Sequence, residues 1–422
     1  MRRPRNAAPG ECGGRSPTKN ARSAVIKRAD VNRHLATVGR RLKAGELGSL
    51  PVLLGLATIW MVFQALNSQF LSARNLSNIS VDMVGTGMIA VGIVFVLLLG
   101  EIDLSVGSVS GLAAAAFAVL NVNLGMAEGV AALVAILVGS ATGVVQGFFV
   151  AKVGVPSFVA TLAGLLSWNG LMLYILGSTG TINLDDEGLV ALLTSFYFND
   201  VAVAYTLAAA GTAAYFLVSY HDSRCRRSLG LGSRPLGDIA LHTAMVAVAV
   251  FAAAYVLNRF QGLPLALLIF LLVVIALECV LRRTLYGRDI YALGGGVEAA
   301  RKAGLKVAWV RISVFTISGT MAAVGGLFLA SRVTSASQTS GSGNLLINAI
   351  AAAVIGGTSL FGGRGSTWSA LLGALVIQSI ASGVALMGVP TAAEYMITGG
   401  VLLLAVVIDS LSRRAQKAHG RI

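Results

Sequence analysis

The sequence predicts an all-α polytopic integral membrane protein with about 10–12 transmembrane helices, some of them discontinuous or re-entrant. Three observations carry that prediction. Hydrophobic residues make up 56% of the chain and charged residues 12%, roughly half the charge share of a soluble domain. Uncharged runs long enough to cross a hydrocarbon core recur from residue 50 onward. Basic residues collect in a few of the connections between those runs, as the positive-inside rule expects.

The first segment, 1–49, carries Arg2, Arg3, Arg5, Arg15, Lys19, Arg22, Lys27, Arg28, Arg33, Arg40, Arg41 and Lys43 against Glu11, Asp30 and Glu46. No apolar core follows within the reach of a signal peptide. It reads as a basic, disordered cytosolic tail. The apolar runs then fall at 50–66, 80–100, 104–122, 129–151, 158–177, 201–220, 239–257, 263–281, 309–330, 345–360, 366–387 and 395–408. They make 50–411 one transmembrane domain, followed by a basic cytosolic tail, 412–422.

Counting spans from a cytosolic N-terminus places the connections 221–235 and 282–311 on the cytosolic side. These hold Arg224, Arg226, Arg227, Arg282, Arg283, Arg288, Arg301, Lys302 and Arg311. The acidic Asp185, Asp186 and Glu187 fall outside, and both termini fall inside. The net charge of +14 is therefore a signature of topology, and no nucleic-acid partner is expected.

Glycine is abundant, with 50 residues, many of them inside the runs. In lipid, small residues let helices approach closely, because packing drives their association. A short similarity links 107–113 with 365–371; each stretch follows a glycine-rich break and opens a run. Repeated broken segments are a feature of transporters.

Three stretches stand out as polar interruptions. In 100–107, Glu101 and Asp103 sit between two runs with Ser105 and Gly107. Asp103 either caps the following helix or lines a cavity within a discontinuous segment. In 355–365, Gly356, Gly357, Gly362 and Gly363 flank Thr358. A glycine-rich turn can cradle phosphate, but a Walker A motif needs Gly-Lys, and no lysine here follows a glycine. These glycines read as a sharp re-entry of backbone.

The third stretch, 287–304, is the most polar part of the second half. It brackets with glycines a helix expected over 297–303. Glu298 and Lys302 can pair there at i, i+4, and Ala299, Ala300 and Ala303 form a small, flat face. So short a helix is marginal alone, which points to a docking partner.

Read as G-R-x-I-Y-A-x-G-G-x-x-E-A-A-R-x-x-G, residues 287–304 resemble the cytoplasmic coupling segment of permease subunits of bacterial ABC importers for ribose- and xylose-type sugars. The stretches 100–107, 155–162 and 355–363 resemble the same family, so the resemblance runs from about residue 50 to 410 in family order. Extra apolar segments between about 201 and 258 are most like the xylose-type permeases. The family form carries glycine where this chain has Glu101.

The resemblance implies a permease that translocates a monosaccharide, xylose or a related pentose, across the bacterial inner membrane by alternating access. Gly294, Gly295, Glu298, Ala299, Ala300, Arg301 and Gly304 would couple to a cytosolic ABC ATPase subunit. ATP and Mg would be held there, with no cofactor on this chain. The other implied partners are a periplasmic sugar-binding protein and a second permease copy, forming a homodimer in the lipid bilayer. Glu101, Asp103, Ser105, Gly107, Gly356, Gly357, Thr358, Gly362 and Gly363 would be pathway or re-entrant positions.

Trp168 and Asn169 suit a sugar, an aromatic plane for its apolar face and an amide for its hydroxyls. Asn348 is a further candidate contact, and Gln146 and Gln378 are polar residues of the runs. Such residues also hydrogen-bond neighbouring helices, and both roles stay open.

Catalytic chemistry finds no motif. His34, His221, His242 and His419 are scattered without metal-ligand spacing, and Cys12, Cys225 and Cys279 suggest no disulfide. From the residues alone, two alternatives remain. One is an ion-coupled secondary transporter, with Asp82, Asp103 and Glu278 as its few candidate carboxylates. The other is a membrane scaffold without transport.

Overall fold

A backbone in lipid has no water to bond, so each apolar run closes its own hydrogen bonds as a helix. In the computed structural model, which describes residues 50–233 and 235–418, the chain is a helical membrane bundle. The expected tail 1–49, with Cys12 and His34, lies outside the described residues, as do Arg234 and 419–422.

In chain order the helices are α1 (Leu50–Leu66), α2 (Ala73–Leu98), α3 (Val106–Ala118), α4 (Glu128–Phe148), α5 (Ser157–Leu176), α6 (Leu189–Ser195), α7 (Val201–Ser228) and α8 (Leu236–Asn258). Next come α9 (Leu265–Arg283), α10 (Leu285–Gly295), α11 (Val297–Lys302), α12 (Val307–Val333), α13 (Leu345–Ile355), α14 (Thr367–Leu386) and α15 (Thr391–Ala418). Single π-helical turns extend α3 to Asn123 and α4 to Val153. Among the described residues, nine helices are long and apolar enough to cross a membrane, and Pro51–Leu66, Leu345–Ile355 and Ala392–Val407 are shorter apolar helices.

Among the described residues, sheet is confined to two small antiparallel pairs. β1 (Thr181–Asn183) pairs with β4 (Ser335–Ser337), placing Ile182 opposite Ala336. β2 (Tyr197–Phe198) pairs with β3 (Leu263–Pro264).

The centre of the bundle is α2, against which α12, α14 and α13 pack; α12 also lies along α4 and α3. A Cβ added at Gly85 would fall 3.3 Å from Gly325 O, so α2 and α12 touch backbone to backbone. Helices α7 and α8 pack mainly on each other at the periphery, with few of their residues buried.

Several boundaries differ from the apolar runs. α2 starts at Ala73 because Ser72 Oγ accepts from Asn75 N at 3.3 Å, capping the polar first turn. The run 345–360 ends as helix at Ile355, where Gly357 turns the chain with φ +108°. The last helix continues to Ala418, so the expected tail beyond 411 is helical over most of its length. The connection between α12 and α13 is ordered. It supplies β4, and its Gly341 packs against Gly107 O. The starts of α3 and α13 meet there, with a Cβ on Gly107 falling 3.5 Å from Leu346 Cβ. Both helices therefore begin within the bundle.

Candidate functional site

The three polar interruptions, far apart in sequence, converge at one end of the bundle. The last turn of α10 lies on the end of α2: a Cβ on Gly294 would run into Leu98 O and lie 2.7 Å from Gly363 N. A Cβ on Gly362 would sit 2.9 Å from both Gly100 N and Gly294 O. Gly363 N donates to Leu98 O at 2.9 Å, and Tyr291 Oη donates to Gly365 O at 2.8 Å. Gly100 and Gly362 adopt φ of +75° and +85°, a region where a Cβ is strained. Backbone meets backbone at this junction, so only glycine fits. Gly356 does the same against the first turn of α14, at Ser369 O, and Thr358 beside it is buried.

From the junction the chain runs inward through Glu101 and Asp103. Glu101 Oε1 pairs with Arg311 Nε at 2.7 Å, with side chains 10% and 24% exposed. Asp103 is buried. Its Oδ1 accepts from Ser105 N at 2.9 Å and Ser105 Oγ at 2.6 Å, and its Oδ2 accepts from Ser318 Oγ at 2.9 Å. Asp103 thus fixes the start of α3 and ties it to α12. The Ser105 hydroxyl also lies 3.0 Å from the Gln146 side chain of α4. Gln146 and Trp168 meet over Gly164 of α5, whose added Cβ would fall 3.0 Å from Trp168 Nε1. Gln146 Nε2 and Trp168 Nε1 are buried without a hydrogen-bond partner among the described residues. A polar chain therefore crosses from α12 through α3 and α4 to α5.

The segment after the junction offers a surface. Short α11 buries only Ala300, while Glu298, Ala299, Arg301 and Lys302 are exposed. Glu298 pairs with Arg301 at 3.2 Å, so the expected i, i+4 partner Lys302 is replaced by the i+3 residue. The helix ends at Lys302, and Gly304 turns the chain with φ +82°. Gly295 has nothing within 4 Å of an added Cβ, unlike its neighbour Gly294. Helix α10 was not expected from the sequence. Its signal is the spacing Tyr286, Ile290, Leu293, with Thr284 Oγ1 capping Gly287 N at 3.1 Å. Burial holds the Tyr291 phenol above its ordinary value.

The remaining carboxylates proposed for ion coupling have structural partners. Glu278 Oε2 accepts from Thr367 N at 2.9 Å and Thr367 Oγ1 at 3.0 Å, capping α14 from another helix, while Oε1 pairs with Arg282 at 2.9 Å. Asp82 pairs with Arg332 at 2.6 Å. Ser318, Arg311 and Leu98 are partners that no local pattern singled out. Among the sugar-contact candidates, Trp168 and Asn169 lie on α5 and Asn348 on the first turn of α13, all partly buried. Both helices pack on α3. Among the described residues no cluster of His, Cys, Asp and Glu could hold a metal ion.

A bundle of membrane-length helices, broken inside and locked to an exposed short helix at one end, is the layout of a permease. The chain belongs to the family described as branched-chain amino acid transport system / permease component, which it matches over residues 75–406. It is 35% identical over 375 residues to the xylose transport system permease protein XylH of Haemophilus influenzae, covering 89% of this chain and 99% of the relative. It is 38% identical over 346 residues to the Escherichia coli XylH, covering 82% and 87% respectively. The ribose import permease protein RbsC of Escherichia coli is 32% identical over 360 residues, covering 85% of this chain and 92% of the relative. No solved structure matches the chain.

Proposed function

We propose that this chain is the permease subunit of an ATP-driven ABC importer that carries a monosaccharide, xylose or a related pentose, across the bacterial inner membrane. The observation that carries the reading is the glycine junction, which joins the exposed α11 surface to both broken segments through backbone contacts. A partner ATPase, holding ATP and Mg, closes on Glu298, Ala299, Arg301 and Lys302. The displacement passes through Gly294 to Leu98, Gly100 and Gly362, and so to α2, α3 and the start of α14. Two copies form the pathway, and a periplasmic binding protein delivers the sugar at the opposite face. Both termini are cytosolic. The relatives named for xylose support that sugar over ribose.

Ion coupling is less well supported, because Asp82 and Glu278 serve as ion-pair or capping partners and Asp103 accepts hydrogen bonds from Ser105 and Ser318. The test is co-purification with the cognate ATPase, and ATP-driven xylose uptake in liposomes, for the native chain and Glu298→Arg. The native chain should recruit the ATPase and the variant should not. Xylose uptake driven by an ion gradient without any ATPase would overturn the reading.

A further inference from the structure

Between Ile79 and Leu98, every residue of α2 is buried except Asp82 and Thr86. Both are polar, and they lie four apart on one face. Asn78, one turn earlier, is partly exposed on the same face. A helix face turned to lipid selects apolar side chains, and the bundle shows what that looks like. On α5 the exposed residues include Leu162, Leu166 and Tyr174, and on α8 they include Leu241, Met245 and Val248.

The α2 stripe has another character, and it is completed from α12. Arg332 Nε donates to Asp82 Oδ1 at 2.6 Å, and the two side chains remain 39% and 29% exposed. An ion pair that open on a spanning helix belongs against water or a polar partner. Inward along the same face the stripe stops, because Ile89 and Ile93 are almost fully buried. Asp82 lies about 24 Å along α2 from Leu98 and the glycine junction, at 1.5 Å per residue. The stripe thus opens at the end of the bundle away from the coupling surface.

We propose that Asn78, Asp82, Thr86 and Arg332 form a solute-contact site in the wall of the pathway, open at that far end and closed inward by Ile89 and Ile93. Its chemistry selects a neutral polyhydroxylated solute. The carboxylate and the guanidinium neutralise each other, so a charged ligand would have to break the pair. A sugar hydroxyl can instead donate to the carboxylate and accept from the guanidinium without separating them. Thr86 and Asn78 add neutral donors and acceptors at helical spacing. The site rests on the importer reading for the identity of the solute, but the exposure of the stripe stands apart from it.

The test uses the full chain reconstituted with its ATPase, with Cys12, Cys225 and Cys279 replaced by serine and single cysteines placed by Thr86→Cys or Leu166→Cys. A membrane-impermeant methanethiosulfonate is added from the side away from the ATPase. Because the thiolate reacts only where water reaches it, Thr86→Cys should label at least about tenfold faster than Leu166→Cys. Saturating xylose should slow that labelling. Equal labelling of the two variants would overturn the proposal by placing the stripe against lipid. An oxidative crosslink between Thr86→Cys copies, insensitive to xylose, would overturn it by making the stripe a contact between subunits. Uptake by the cysteine-free parent is measured separately, so failure of the importer reading is distinguished from failure of the site.

Discussion

Glu101 and Arg311, on the entry to α3 and the second turn of α12, form an ion pair at 2.7 Å with both side chains largely withdrawn from solvent. The carboxylate is answered by a cation 210 residues further along the chain. Glu101→Ala leaves that guanidinium partly buried and unpaired. The expected loss is about 3 kcal/mol, the lower end for removing one member of a buried pair, since Arg311 keeps some solvent. Glu101→Ala combined with Arg311→Met should recover most of it. Thermal unfolding of the purified variants in detergent, arranged as a double-mutant cycle, measures the coupling.

Adjacent glycines of α10 should respond oppositely to the same methyl group. Gly294→Ala drives a Cβ into Leu98 O and forces the junction apart, so ATP-driven uptake should fall at least about tenfold, a cost above ~1.4 kcal/mol in the transport step. Gly295→Ala meets open space, and alanine in place of glycine favours a helix by up to about 1 kcal/mol. Its uptake should match the native chain. Parallel uptake and ATPase assays on both variants check the contrast, and equal tolerance would remove the junction from the coupling route.

Glu278 separates a structural carboxylate from a transport carboxylate. Glu278→Ala removes the acceptor for Thr367 N and leaves Thr367 Oγ1 with Val274 O at 2.8 Å, so α14 loses its cap at a cost of about 1–2 kcal/mol. The unfolding temperature should drop, while uptake per folded molecule stays near native. Loss of uptake with unchanged stability would instead mark Glu278 as part of an ion relay.

Tyr291 supplies the pH dependence. Its hydroxyl donates to Gly365 O at 2.8 Å, and burial raises its pKa above the ordinary 10.0. A raised folded-state value means the protonated phenol is favoured by folding. The contribution is therefore full below the ordinary value and lost as pH rises through the raised one. Stability should be flat with respect to this group through neutral pH. Tyr291→Phe should cost about 1 kcal/mol at neutral pH and abolish the group's share of the alkaline loss, both read from unfolding curves across pH.

Much of the bundle was legible because a long uncharged run has one stable form in lipid. The runs found the helices, and the glycine-rich stretches marked where they break. Legibility failed where the cause lay in another part of the chain. Gly294, Gly100 and Gly362 looked like turn residues, but two of them also, and Gly294 wholly, answer to a backbone packed against them from elsewhere. Ser318 gave no signal at all, since a serine inside a run bonds its own helix as readily as a distant Asp103. Helix α10 was hidden by its glycines and charges, although Tyr286, Ile290 and Leu293 kept the helical period. Glu298 had two cations in reach, and spacing alone did not choose Arg301.

The glycine junction also bears on how this protein can change over time. A position that packs side chain against side chain can drift in size and be compensated by a neighbour's rotamer. Gly294, by contrast, has no rotamer to trade and faces peptide groups that cannot be substituted away. The smallest residues packed at this junction are consequently its least negotiable, and a single methyl there has no second-site remedy short of moving a helix.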